Sequence, residues 1–466
     1  MIDRRTALKY AAAGVSALLP ACRPAPPAPS RQQHSARAPR SLRVELRHTN
    51  GDDERFALTR LRAEPVWAGP APALGAAPDW GDYRLDLTEA ASGKLLYRTG
   101  FDGIADRGSA ATLSVRAPYP DARADLAIAG RRAGAFFQPL WGATIDPADP
   151  TIDASAPRLP TRVETLRQSG PASAKVDIAI LGDGYAHAEY PKFVADARRA
   201  AEYLFSVEPF GRRASEFNVH AVFTASAQSG ITDPYLARQS STAFGCTYGA
   251  GAAERTLFAA DEAALREAAS VVPYDFLLVL ANARRYGGSA YFGGPAVVSI
   301  DSASARYLVV HEFAHAFSGL ADEYYIPARG GPAYAGNIEP WNPNVTLSRS
   351  NGKWAAPAEG VWNKAQYDRY FAGYVRRYFA LRESRASEDR VERFMQAESR
   401  RQRALLGTGP RSAGFYEGAN GFARGVYRSE ADCIMFSLQT ERFCVACRSA
   451  IDRTIDYHSA AAPVVR

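Results

Sequence analysis

Residues 311–315 read His-Glu-Phe-Ala-His, inside a largely apolar run that holds no proline or glycine between Ala305 and Gly319. Leu308, Val309, Val310, Phe313, Phe317 and Leu320 fall all around a helix of that register. A helix apolar on every side has to lie at the centre of a domain rather than on its surface. Positions i and i+4 sit one above the other on one helix face. The imidazoles of His311 and His315 therefore point at one spot and can share a Zn²⁺ ion, with Glu312 beside them as general base for a metal-bound water. Zinc brings the pKa of such a water to near 7. The fold must hence supply a buried helix with one open end, and the chemistry is hydrolytic.

A catalytic zinc takes three protein ligands and keeps one position open. The third ligand should come from Ala321-Asp322-Glu323-Tyr324, just after Gly319. Were the helix to continue, Asp322 would lie about 16 Å along the axis from His311, so a turn at Gly319 has to swing the chain back. The metzincin pattern has its glycine three residues after the second His and a ligand three after that glycine. Here Gly319 comes one place late, but the spacing from glycine to acid is kept. That selects Asp322 as third metal ligand beside His311 and His315. Glu323 is the main competitor, and a supporting carboxylate is the plainer role for Asp322. His187, His220 and His458 have no motif around them.

At this point the chain resembles a known family. The hallmark of the sixty-fourth metallopeptidase family, named for an IgA-cleaving bacterial enzyme, is a His-Glu-Phe-Gly-His segment running into Leu-Ala-Asp-Glu-Tyr. Ala314 replaces the glycine of that segment and Ser318 precedes Gly319; both are small. The likeness extends over about residues 160–455. It takes in VDIAILGDGYAHAEYPKFVADA, FNVHAV, the Arg255-Thr-Leu segment, PYDFLLVLANARRYGGSA, and Cys433-Ile-Met-Phe with Phe443-Cys-x-x-Cys447. It implies a secreted zinc endopeptidase, with His311, Glu312 and His315 in their usual roles, and a β-rich accessory domain ahead of it. It does not fix the substrate.

Metzincins place a methionine in a turn beneath the zinc, and Met435 is the candidate here; the plainer role is a gap-filling core methionine. The glycine-rich stretch from Tyr286 to Ile300 is expected to be a loop and then a strand beside the cleft, where extended substrate could add by strand pairing. Cys246, Cys433, Cys444 and Cys447 form an even set, which in an exported protein suggests two disulfides among three connectivities. A structural zinc held by all four is the rival reading.

Residues 1–22 carry the paired Arg4 and Arg5 and an Ala-rich apolar stretch from Tyr10 to Leu19, the layout of a twin-arginine-type bacterial export signal. Leu19-Pro20-Ala21-Cys22 resembles a lipoprotein cleavage box, which would put a lipid on Cys22; plain cleavage is the alternative. Residues 23–40 are Pro/Ala/Arg-rich and read as a flexible tether. From 41 to 160 short alternating stretches (SLRVELRH, DYRLDLTEA, KLLYRTGF, TLSVRAPY, ADLAIAG) suggest an all-β sandwich with His48 as its sole histidine and no catalytic cluster. From 161 to 466 the apolar runs 175–181, 217–223 and 274–280 alternate with helical patterns at 189–207 and 252–270, an α/β core. Residues 364–406 read as a solvated pair of helices.

The fold expected is an α/β metzincin-like zinc peptidase domain preceded by an all-β sandwich accessory domain. The function expected is an exported zinc-dependent endopeptidase, periplasmic, outer-membrane-anchored or secreted, acting on a protein or peptide substrate. Its only membrane tie would be lipid on Cys22, and the sequence says nothing of its oligomeric state. The net charge of +7 is spread along the chain rather than concentrated in a stripe, which argues against a nucleic-acid partner. A zinc amidase or esterase acting on cell-wall material, and a non-catalytic surface binding module, are the rival functions.

Overall fold

The computed structural model describes residues 40–459 except 71–76, 104–108, 133–135, 250–253, 326–333, 335–337, 350–351, 356–359, 361, 407–411 and 439. The export signal, Cys22 and the tether up to residue 39 lie outside the described residues.

The first seven strands are β1 (Ser41–Thr49), β2 (Arg55–Glu64), β3 (Tyr83–Glu89), β4 (Leu95–Phe101), β5 (Ala110–Pro118), β6 (Ala124–Arg132) and β7 (Phe136–Ile145). They form two antiparallel sheets, β2-β1-β5 and β4-β3-β6-β7. Leu42, Val44 and Leu46 of one sheet share a core with Leu85, Leu87, Leu126 and Ile128 of the other. This is the period-two logic of strands, with alternate side chains facing inward. His48 is a core residue, stacked on Phe56 with ring centroids 4.3 Å apart and placed against Glu54 at 3.1 Å.

The larger part is built on a six-stranded sheet. Its strands are β8 (Thr161–Arg167), β9 (Val176–Asp183), β10 (Phe217–Thr224), β13 (Phe276–Ala281), β14 (Gly288–Ser289) and β15 (Ala296–Ser299), in the order β14-β15-β13-β9-β10-β8. The four inner strands are parallel, and both edge strands run antiparallel. Two small sheets complete the strand set: β11 (Cys246–Tyr248) with β12 (Leu257–Ala259), and β16 (Val345–Thr346) with β17 (Tyr416–Ala419) and β18 (Phe422–Arg428). The helices are α1 (Tyr190–Phe205), α2 (Glu262–Ala269), α3 (Ala305–Ser318), α4 (Lys364–Glu383), α5 (Glu388–Leu406) and α6 (Val445–Ser459).

Every residue of β9 is buried, as a central parallel strand requires. Ile178 and Ile180 face the core shared by α1, α3 and α6, while Ala179 and Leu181 face a second core with Leu265, Leu277 and Val279. The His-Glu-Phe-Ala-His helix therefore lies on one defined face of the sheet. The helix expected over 252–270 is shorter than its pattern. Leu257–Ala259 pairs as a strand, and the Asp261 carboxylate accepts the Ala264 amide at 2.9 Å, which starts the helix there. The first region packs on the second by polar and apolar contacts together: the Arg116 guanidinium lies 3.8 Å above the Tyr274 ring, the Asp102 amide donates to the Phe292 carbonyl at 3.0 Å, and Trp80 joins the core shared by α1, α3 and α6. Among the described residues no helix is long and apolar enough to cross a membrane.

Candidate metal centre

Helix α3 is buried around its whole circumference, from Leu308 to Ser318, apart from the partly open His315. It ends at Gly319, whose φ of +59° is left-handed and whose amide closes on the His315 carbonyl at 3.0 Å. A Cβ on Gly319 would stand 2.5 Å from the Trp341 ring, so the turn demands glycine twice over.

The turn brings the chain back over the imidazoles. Asp322 Oδ1 lies 3.1 Å from His311 Nε2 and 3.3 Å from His315 Nε2, and the two nitrogens are 3.1 Å apart. The Nδ1 of each ring faces a backbone carbonyl, Ile434 at 3.2 Å for His311 and Leu320 for His315. A carbonyl only accepts, so Nδ1 carries the proton and Nε2 presents its lone pair. Three lone-pair atoms thus converge, and they need positive charge between them. Without a metal that charge is a proton: burial favours neutral His315, but Asp322 outweighs it and lifts the pKa to about 9. A tetrahedral ion with ligand distances of about 2.0 Å has edges of about 3.3 Å. The three atoms fit such an ion with one corner open.

Backbone and amide groups hold Asp322 in place. Asn344 accepts the Ala321 amide at 2.8 Å and donates to the Ala321 carbonyl at 2.9 Å and to Glu323 Oε1 at 3.1 Å. The turn between β17 and β18 donates from Asn420 to the Asp322 carbonyl at 2.8 Å and from Gly421 to the Tyr324 carbonyl at 3.0 Å. The Glu323 amide donates to the Met435 carbonyl at 2.7 Å. Asn344 and Asn420 carry no sign of this in the sequence beyond an Asn-Gly pair with φ of 52° and 78°, the signature of a tight hairpin turn.

Glu312 is nearly buried, with a carboxylate oxygen within 4.8 Å of the imidazole nitrogens. Burial raises its pKa; the imidazoles oppose that and Asp322 adds to it. β14 passes directly over it, and a Cβ on Gly288 would stand 2.9 Å from Glu312. The outer edge of β14 is not open along its length: the Gly288 amide already donates to the Arg255 carbonyl at 3.2 Å. Substrate pairing at Gly288 itself is therefore ruled out. Tyr307 stacks on His311 with centroids 4.8 Å apart, and Tyr324, 37 % exposed, lies parallel to it at 6.4 Å. Tyr307 precedes His311 by four residues, so the helical repeat could have found it. Met435 is fully buried in the turn next to Ile434, and its carbonyl links it to the site by accepting the Glu323 amide.

The structure corrects the expectation of two disulfides, because all four described cysteines are free thiols. Cys246 packs on the opposite face of the sheet from Cys433, Cys444 and Cys447. Glu323 turns away from the imidazoles, 3.1 Å from Cys444 Sγ and 3.2 Å from Cys447 Sγ.

A family model described as IgA Peptidase M64 matches residues 164–455, and one described as Peptidase M64 N-terminus matches residues 34–138. No curated protein matches the chain.

Proposed function

The chain belongs to the IgA peptidase M64 family and is a peptidase, and from that premise we propose that it is an exported zinc-dependent endopeptidase of metzincin-like design. The observation that carries the reading is the set of three lone-pair atoms, His311 Nε2, His315 Nε2 and Asp322 Oδ1, converging at 3.1–3.3 Å beside Glu312. His311, His315 and Asp322 would hold zinc. Bound there, the ion would lower the pKa of a water to near 7 and polarise the scissile carbonyl. Glu312 takes the proton of the attacking water and returns it to the departing amine. Its raised pKa makes it a better proton acceptor than an ordinary carboxylate, while a carboxyl group remains acidic enough to hand the proton on to a departing amine. Tyr307 fixes the plane of the His311 ring, and the Ile434 and Leu320 carbonyls fix both tautomers. Arg4, Arg5 and the box ending at Cys22 support export, with lipid on Cys22 as the membrane tie.

The test is the pair of unmutated protein and Glu312→Gln, each assayed for zinc content and for cleavage of a mixed-protein substrate. Equal zinc with cleavage lower by about 10²–10⁴-fold in the variant is expected. Equal cleavage by both, or hydrolysis of isolated peptidoglycan with protein untouched, would overturn the endopeptidase reading.

A further inference from the structure

We propose that Glu323, Cys433, Cys444 and Cys447 form a second metal site, a closed structural one for Zn²⁺. This goes beyond the peptidase reading and does not rest on it.

All four side chains are fully buried, and their ligand atoms lie within 4.8 Å of one another. The Cys433 and Cys447 sulfurs are 3.7 Å apart. A zinc with Zn–S legs of about 2.3 Å has a sulfur–sulfur edge of about 3.8 Å. The contacts of Glu323 Oε1 with Cys444 and Cys447, at 3.1 and 3.2 Å, would open by a few tenths of an ångström around the ion. Backbone amides already point at the sulfurs. Met435 N and Cys444 N lie 3.4 and 3.2 Å from Cys433 Sγ, and Cys447 N lies 3.4 Å from Cys444 Sγ. Such donors favour thiolates.

The same residues as neutral thiols make a poor core. A thiol is a weak donor; those of Cys444 and Cys447 crowd Glu323 Oε1, which already accepts from Asn344, and that of Cys433 faces only Cys447. Glu323 Oε2 has no hydrogen-bond partner among the described residues. A buried oxygen left bare costs roughly 1–3 kcal/mol, and more where it is charged. A dication removes the difficulty: the thiol protons leave to solvent, and three thiolates and a carboxylate close on the ion. Three soft sulfurs in a tetrahedral arrangement select zinc over hard cations. With four protein donors and no exposure there is no open corner, so the site is structural.

Its position gives it a purpose. It ties the Asp322 segment to the turn at 433–436 and to the start of α6. Ile434, between two of the tied residues, holds His311 through its carbonyl. Closing this site fixes two parts of the open one.

The test grows the full chain with Co²⁺ as the supplied metal and measures metal per chain and absorption. Two ions per chain are expected, with thiolate-to-cobalt charge-transfer bands. His315→Ala should keep one ion and the bands unchanged; Cys447→Ser should lose the bands. Because Cys447→Ser can fail to fold, X-ray absorption on His315→Ala is the second reading, with a shell dominated by sulfur expected. A shell of only nitrogen and oxygen, no ion in His315→Ala, or a Cys433–Cys447 disulfide seen by mass after alkylation would overturn the proposal. The peptidase reading fails differently, by unchanged cleavage in His315→Ala.

Discussion

Asp322 and Glu323 are neighbours in the chain, yet they serve two centres of opposite character. An extended segment sends successive side chains to opposite sides. Asp322 goes to the imidazoles and Glu323 goes to the sulfurs. The first centre is nitrogen and oxygen, and it opens outward: the side chains of His311, His315 and Asp322 are 5, 16 and 31 % exposed. The second is sulfur-rich, and all four of its residues are 0 % exposed. Exposure separates the roles. A centre that exchanges water and substrate needs a reachable corner, while one that holds chain segments together is best sealed.

The sharpest way to break the pairing is His315→Ala. It should lose all cleavage and one metal ion while the sulfur centre keeps the other, checked by metal count and assay together. Asn344→Ala should touch both centres, since its side chain bonds Ala321 and Glu323. Loss of such an orienting group lowers metal affinity by about 10–100-fold, measurable by competition with a chelator, and an effect on neither centre would contradict the shared clamp. Gly319→Ala should disturb only the open centre. A left-handed alanine costs about 1–2 kcal/mol before the contact with Trp341 is relieved, and urea unfolding reads the loss. The smallest effect at neutral pH concerns Glu312. The base must be ionised, and burial raises its pKa above the ordinary 4.5. Activity should therefore fall as pH drops through a value above 4.5, about tenfold per unit below it, as a kcat/KM profile would show.

The sequence carries the open centre more clearly than the closed one. A helix repeat stacks His311 and His315, and Gly319 marks the turn; both signals are local. Which acid turns back is not local, and spacing leaves Asp322 and Glu323 both in play. The closed centre depends on three segments meeting, and an even count of cysteines points to disulfides instead. Cys246 belongs to the other face of β9, a fact that only the sheet order reveals. The strands divide in the same way. β1, β3, β6, β9, β10 and β13 are inner strands, and their alternation or continuous apolar runs show through. β2, β7 and β8 are edges with mostly exposed or half-buried residues, so no periodicity marks them. The hairpin turn at Asn420-Gly421 was readable in principle, but its β17 flank has only four residues and little alternation.

The most direct test of the two-centre account is a stepwise chelator titration of the zinc-loaded protein, following released zinc, cleavage and thiol reactivity together. The first equivalent of zinc should leave with all of the activity while the thiols stay unreactive, and the second should leave only as they become reactive and the fold is lost. Cleavage that survives the first equivalent, or thiols that react along with it, would contradict the account.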